Sequence, residues 1–176
     1  MRRTVLLLGL WIVAASGVHA QDPGAARADY LRAVAAFFNL PPNEVAILSD
    51  WEIPPDEIAV VLFVARRAGI SPEALVALRD AGQSWSTLSD RYRVGPSALH
   101  VPVRDDAAAG ALAGAYERFR STPVGEWRSI RLSDREIVAL VNVRVISQSL
   151  GLPAERVIGQ TSPAGSFVTL YAQLKR

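Results

Sequence analysis

The chain has 176 residues, half of them apolar, with 19 Lys plus Arg against 17 Asp plus Glu. It contains no cysteine, which excludes a disulfide framework, a thiolate metal site and a lipid-bearing cysteine. Arg2 and Arg3 carry the basic excess; the remainder balances at 17 against 17 and lacks the counter-charge that nonspecific binding to nucleic acid or an anionic membrane draws on.

The first twenty residues have the order of a secretory signal. Arg2 and Arg3 lead, residues 5–15 are an apolar core, and the small-residue exit Val18-His19-Ala20 predicts a cut after Ala20. That core is shorter than the roughly 20 apolar residues of a bilayer span. An uncleaved anchor is the alternative. Residues 21–176 then form a single domain, periplasmic or secreted, with no stable membrane span. Their charge is uneven: residues 21–62 carry two Arg and seven acids, and residues 63–176 carry fifteen bases and ten acids. The imbalance suits docking of one half on the other.

The elements read as helices punctuated by proline and glycine. Residues 25–38 place Tyr30, Leu31, Val34, Ala35, Phe37 and Phe38 at helical spacing. Helices at about 42–49, 55–68 and 72–81 each open with proline and an early acid, which suits the first helical turn. Residues 58–65 are apolar all round and predict the buried centre of the fold. A short helix follows at 84–93, ended by Gly95-Pro96, and then an extended Leu99-His100-Val101-Pro102-Val103. Residues 105–119 are alanine-rich and helical, and 121–131 form a loop pinned by Trp127. Ser133-Asp134-Arg135-Glu136 is a capping box that starts a long helix at about 134–149. Pro153 starts another helix, and 166–174 is the last.

The tail resembles the middle. At an offset of 82, Gly69 meets Gly151, Glu73 meets Glu155, and Ser84, Trp85, Thr87 and Leu88 meet Ser166, Phe167, Thr169 and Leu170. Glu57-Ile58 matches Glu136-Ile137 at an offset of 79. This predicts an all-α, compact multi-helix domain. Its parts are two related three-helix units, about 55–92 and 134–174, plus an N-terminal helix. Convergence on common helix punctuation is the competing explanation.

Residues 71–94 locally resemble a helix-turn-helix of the sigma-factor and recombinase kind. Gly82 stands at its turn, Leu75, Leu78 and Leu88 at its packing positions, and Val94 at its end. The resemblance implies that Gln83, Ser84, Ser86, Thr87, Asp90 and Arg91 face DNA. Against it, the second helix has one internal Arg, no basic patch covers phosphates, and an exported chain meets no genome, so no nucleic acid is expected as a partner. Residues 57–69, Val101-Pro102-Val103 and residues 134–142 resemble a family of small exported helical bacterial proteins of uncharacterised function. That resemblance implies export and a helical fold and transfers no activity.

No catalytic centre, metal site or cofactor site is recognisable. Beyond the leader, His100 is the one histidine, too little for a metal site or a triad. Carboxylates pair at Asp56-Glu57, Asp105-Asp106 and Asp134/Glu136, which raises glycoside hydrolysis, yet all three pairs precede or open helices, where acids cap. Asn142, inside an apolar run, would bond across the core or face solvent. Trp51, Trp85 and Trp127 are candidate interaction residues if exposed and packing residues if not. The expectation is an exported soluble protein with a structural or protein-interaction role and an unknown protein partner in the envelope or outside. An extracytoplasmic hydrolase using paired carboxylates is the alternative. A DNA binder is the remote one, should the leader be retained.

Overall fold

In the computed structural model, which describes residues 22–41, 44, 47, 50–104, 110–162 and 165–176, the chain is all helical. In order it forms α1 (Pro23–Phe37), α2 (Pro55–Ala68), α3 (Pro72–Asp80), α4 (Trp85–Arg91) and α5 (Pro96–Leu99). A 3-10 turn (Gly110–Leu112), α6 (Ala113–Ser121) and a second 3-10 segment (Val124–Ser129) follow. The chain then forms α7 (Asp134–Leu150), α8 (Ala154–Ile158) and α9 (Phe167–Leu174). The leader, residues 105–109 and most of the expected 42–49 helix lie outside the described residues. Among those described, no strand occurs and no helix is long and apolar enough to cross a membrane.

Helices α2 and α7 make the centre. All eight residues from Ile58 to Ala65 are buried, as the lack of a polar face requires. On α7 the residues from Ile137 to Ile146 are buried except Val138 and Arg144, which are partly so. Each fully buried Val, Leu or Ile contributes about 1.5–3 kcal/mol over its exposed state, so this pairing dominates the apolar term. Helix α1 lies on α7 and is covered by α9, with Tyr30 and Tyr171 edge to face at 6.1 Å. Ion pairs Glu57–Arg79 and Asp29–Lys175 join the acid-rich start of the domain to its base-rich remainder.

Helix boundaries follow local chemistry. Ser71, Ser84, Ser133 and Ser166 each accept a first-turn amide, and Ser133 with Glu136 completes the capping box. Gly69 and Gly151 close α2 and α7 in the left-handed conformation. Three segments differ from the sequence expectation. Leu99 belongs to a short helix instead of an extended strand-like run. Residues 121–131 contain a 3-10 segment. Of the expected 105–119 helix, residues 105–109 lie outside the described residues, Gly110–Leu112 form a 3-10 turn, and the regular helix runs from Ala113. At Gly110 the φ of 74° departs from helical values, and a Cβ there would lie 3.0 Å from the Ile158 carbonyl oxygen. Only glycine allows that backbone conformation and that close approach together.

Asn142 crosses the core. It is fully buried on α7, its Oδ1 accepts from the buried Tyr30 hydroxyl of α1, and its Nδ2 donates to the Asp56 and Val138 carbonyls, both at 2.8 Å. One side chain thus ties α1, α2 and α7. Asn142→Ala should cost about 2–4 kcal/mol and Tyr30→Phe about 1–2 kcal/mol. The double variant Tyr30→Phe/Asn142→Ala should lose less than the summed singles by about 1 kcal/mol or more, because the hydroxyl and the amide that it bonds are removed together. Urea unfolding measures all three.

Candidate functional site

The N-terminal ends of α2 and α7 meet at a groove of about 440 Å³. Its walls carry Asp56 and Glu57 from α2, Asp134 and Glu136 from α7, and the rings of Trp85 and Phe167. Facing carboxylate pairs over apolar walls are what a hydrolytic site would need, so the hydrogen bonds of each acid decide the matter.

Asp134 accepts the Trp85 N–H at 2.8 Å and the Ser86 N–H at 3.0 Å, the first amides of α4. Asp56 accepts the Phe167 N–H at 3.0 Å and the Val168 N–H at 3.2 Å, the first amides of α9, together with the Ser166 hydroxyl. The two aspartates therefore perform the same task for one another's neighbours. Glu57 takes Arg79 through Nε and Nη2, both at 2.9 Å, and the Trp85 indole N–H at 2.9 Å. The Arg79 guanidinium also sits 5.0 Å from the Trp85 ring centre. Glu136 accepts the Ser133 amide at 2.8 Å, its hydroxyl at 3.0 Å, and Arg118.

This arrangement spends the carboxylates on structure. A general acid needs a carboxyl whose proton is retained near neutrality. Burial alone would raise Glu136, but the Ser133 amide, Arg118 and the Ser133 hydroxyl outweigh it and hold the carboxyl below its ordinary value. Among the described residues no group of three or more His, Asp and Glu could hold a metal ion.

The three tryptophans occupy different places. Trp85 is fully buried beneath the groove, and Trp51 is half-buried against the core. Trp127 is half-buried and its indole N–H is shared between the carbonyls of Phe119 at 3.2 Å and Thr122 at 3.0 Å. His100 stacks on it. The imidazole centre lies 4.5 Å from Trp127, 4.7 Å from Phe119 and 5.9 Å from Tyr116. Burial first, then the charge of Arg144, lowers the His100 pKa from its ordinary value. Arg144 itself donates to the carbonyls of Ala98, Leu99 and His100 at 3.0, 3.2 and 2.7 Å, closing α5.

Residues 71–94 do form two helices about a turn, with Gly82 at a φ of 83° that glycine adopts freely. The first-turn amides of α4 face the Asp134 carboxylate, where a DNA phosphate would meet repulsion. Of the positions that the resemblance points to DNA, Thr87, Asp90 and Arg91 are exposed, while Gln83, Ser84 and Ser86 are half-buried.

Sequence reasoning assigned the acids of α2 and α7 to their own helices and missed their partners Arg79, Arg118, α4 and α9. The Ser-aromatic starts at Ser84 and Ser166 are the one sequence signal for helix ends in need of acceptors. Compared with protein-family models, curated protein sequences and solved structures, the chain finds no match in any of the three.

Two outcomes test the site as described. Asp134→Ala and Asp56→Ala should each cost about 1–2 kcal/mol in urea unfolding, with the asparagine variants, which keep one acceptor oxygen, retaining part of it. For Glu136 the folded pKa lies below the unfolded value of about 4.5, so its stabilisation is present above that pH and is lost as pH falls through the folded value. Glu136→Gln should flatten the acid limb of the stability profile below about pH 4.5.

Proposed function

We propose that this chain acts without catalysing a reaction: an exported helical domain, cut after Ala20, with a structural or protein-interaction role in the periplasm or outside the cell. The observation that carries this reading is the commitment of Asp56, Glu57, Asp134 and Glu136 to helix amides and arginines, so that none of these four carboxylates stands free as a proton donor or nucleophile. The leader supports the location, since its basic start, short apolar core and small exit are the parts of a cleavable signal. The absence of cysteine is consistent with a domain held by its apolar core.

The architecture of this reading is a duplicated unit, 55–92 and 134–174. Two features support it: the matched Ser-aromatic helix starts, and the exchange of aspartate caps in which Asp56 serves α9 and Asp134 serves α4. A hydrolase is the second reading, favoured by the facing carboxylates alone.

Mass measurement of the protein recovered from fractionated cells of its source tests the proposal. The expected species begins at Gln21 and lies outside the cytoplasm, where crosslinking then captures a heterologous protein. A full-length species in the cytoplasm contradicts export. Hydrolysis of a glycan that Glu57→Gln or Glu136→Gln abolishes contradicts the noncatalytic role.

A further inference from the structure

The cut proposed above makes Gln21 the first residue of the mature chain, with Asp22-Pro23 next. Gln21 itself lies outside the described residues; the two that follow it do not. Asp22 caps α1 and Pro23 opens it. Residues Asp22 to Ala25 are exposed, so the start of this helix stands open to solvent. A free α-amine titrates at about 7.7–8.0, and near neutral pH a share of it is therefore the nucleophilic free base.

An N-terminal glutamine carries its own electrophile. Its α-nitrogen and its side-chain amide carbon close a five-membered ring, an intramolecular geometry that needs no second molecule. The nitrogen lone pair attacks that carbon, and a new C–N bond forms. The bond to the side-chain nitrogen breaks, and ammonia leaves with the proton that the amine gives up. No oxidant, reductant or co-reactant enters. The next backbone carbonyl, that of Asp22, is held in α1 by the Ala26 N–H at 3.0 Å, which leaves the glutamine's own carboxamide as the electrophile within reach.

We propose that Gln21, once freed by the cut, closes to a pyroglutamyl lactam, so that the mature chain begins with a neutral, blocked end. The inference rests on cleavage after Ala20. Two features of α1 suit it to such an end. Its first turn holds no acid, and its capping carboxylate is already bound to the Gly24 N–H at 2.9 Å, so an ammonium ahead of the helix meets a positive dipole end with little to offset it. The lactam removes that charge. An aminopeptidase also needs a free α-amine, and Pro23 stands two residues on. Outside the cytoplasm a sealed end protects the cap of α1, the helix whose Tyr30 reaches Asn142.

Intact mass and N-terminal sequencing of the full chain, expressed with its leader in an exporting bacterial host, test the assignment. The mature protein is measured as isolated and after about two weeks at neutral pH and about 37 °C. Most of the incubated sample should be about 17 Da lighter than a chain starting at Gln21, resist stepwise degradation, and gain a free amine at Asp22 under pyroglutamyl aminopeptidase. Gln21→Glu, which forms the lactam far more slowly, should keep its full mass. A chain that starts at Gln21 and keeps its ammonia overturns the lactam and leaves the export reading standing. The same loss in Gln21→Glu places the reaction at another residue and also overturns it. A full-length chain, or one starting elsewhere, removes the terminal glutamine and overturns the lactam together with the cut.

Discussion

The peptide N–H groups that open a helix have no partner inside it, and the whole domain is arranged around where four of them go. Helices α4 and α9 have seven and eight residues, too short to persist alone. Their first amides are met by Asp134 and Asp56, each the contribution of a helix on the far side of the groove. For both carboxylates to arrive, the N-termini of α2 and α7 must lie together. That position in turn brings Glu57 under Trp85 and Arg79, and Glu136 against Arg118. A negative charge at a helix start is favourable to both helices it touches, so each aspartate stabilises its own dipole and its neighbour's at once.

The core enforces the same placement by a different means. Buried Asn142 would be costly without partners, and it finds them in Tyr30, the Asp56 carbonyl and its own helix. A slip of α7 along α2 would break this network and the caps in one motion. Apolar packing of α2 on α7 supplies magnitude and tolerates several registers; the polar bonds select one. Arg144 does the comparable service at the other end, gathering three carbonyls at the close of α5 while its guanidinium lies 4.9 Å from the Phe63 ring centre. The pairing of charge with burial explains why a domain without a disulfide can hold its short helices in place.

How much of this was legible in the sequence depends on the range of the interaction. The buried centre at Ile58–Ala65, the capping box at Ser133 and the glycine closures of α2 and α7 are local rules, and residues one turn apart reveal them. The need for glycine at 110 was not legible, because a side chain there would meet the Ile158 carbonyl nearly fifty positions away. The groove was half legible. Asp56 and Asp134 satisfy the local preference for acids at helix starts, and that sufficient local reason conceals the distant amides they also bind. His100 does lie in a connection between helices, but nothing in Leu99-His100-Val101 announces the rings of Tyr116, Phe119 and Trp127 that fold onto it.

If the reciprocal caps make one structure of two halves, the halves cannot open separately. Hydrogen exchange followed through rising urea measures this directly. Amides of 85–91, 134–150 and 167–174 should lose protection along one curve with one midpoint. Loss of 167–174 at low urea while 85–91 stays protected, or the reverse, would mean that each half stands without the other's aspartate, and would contradict it.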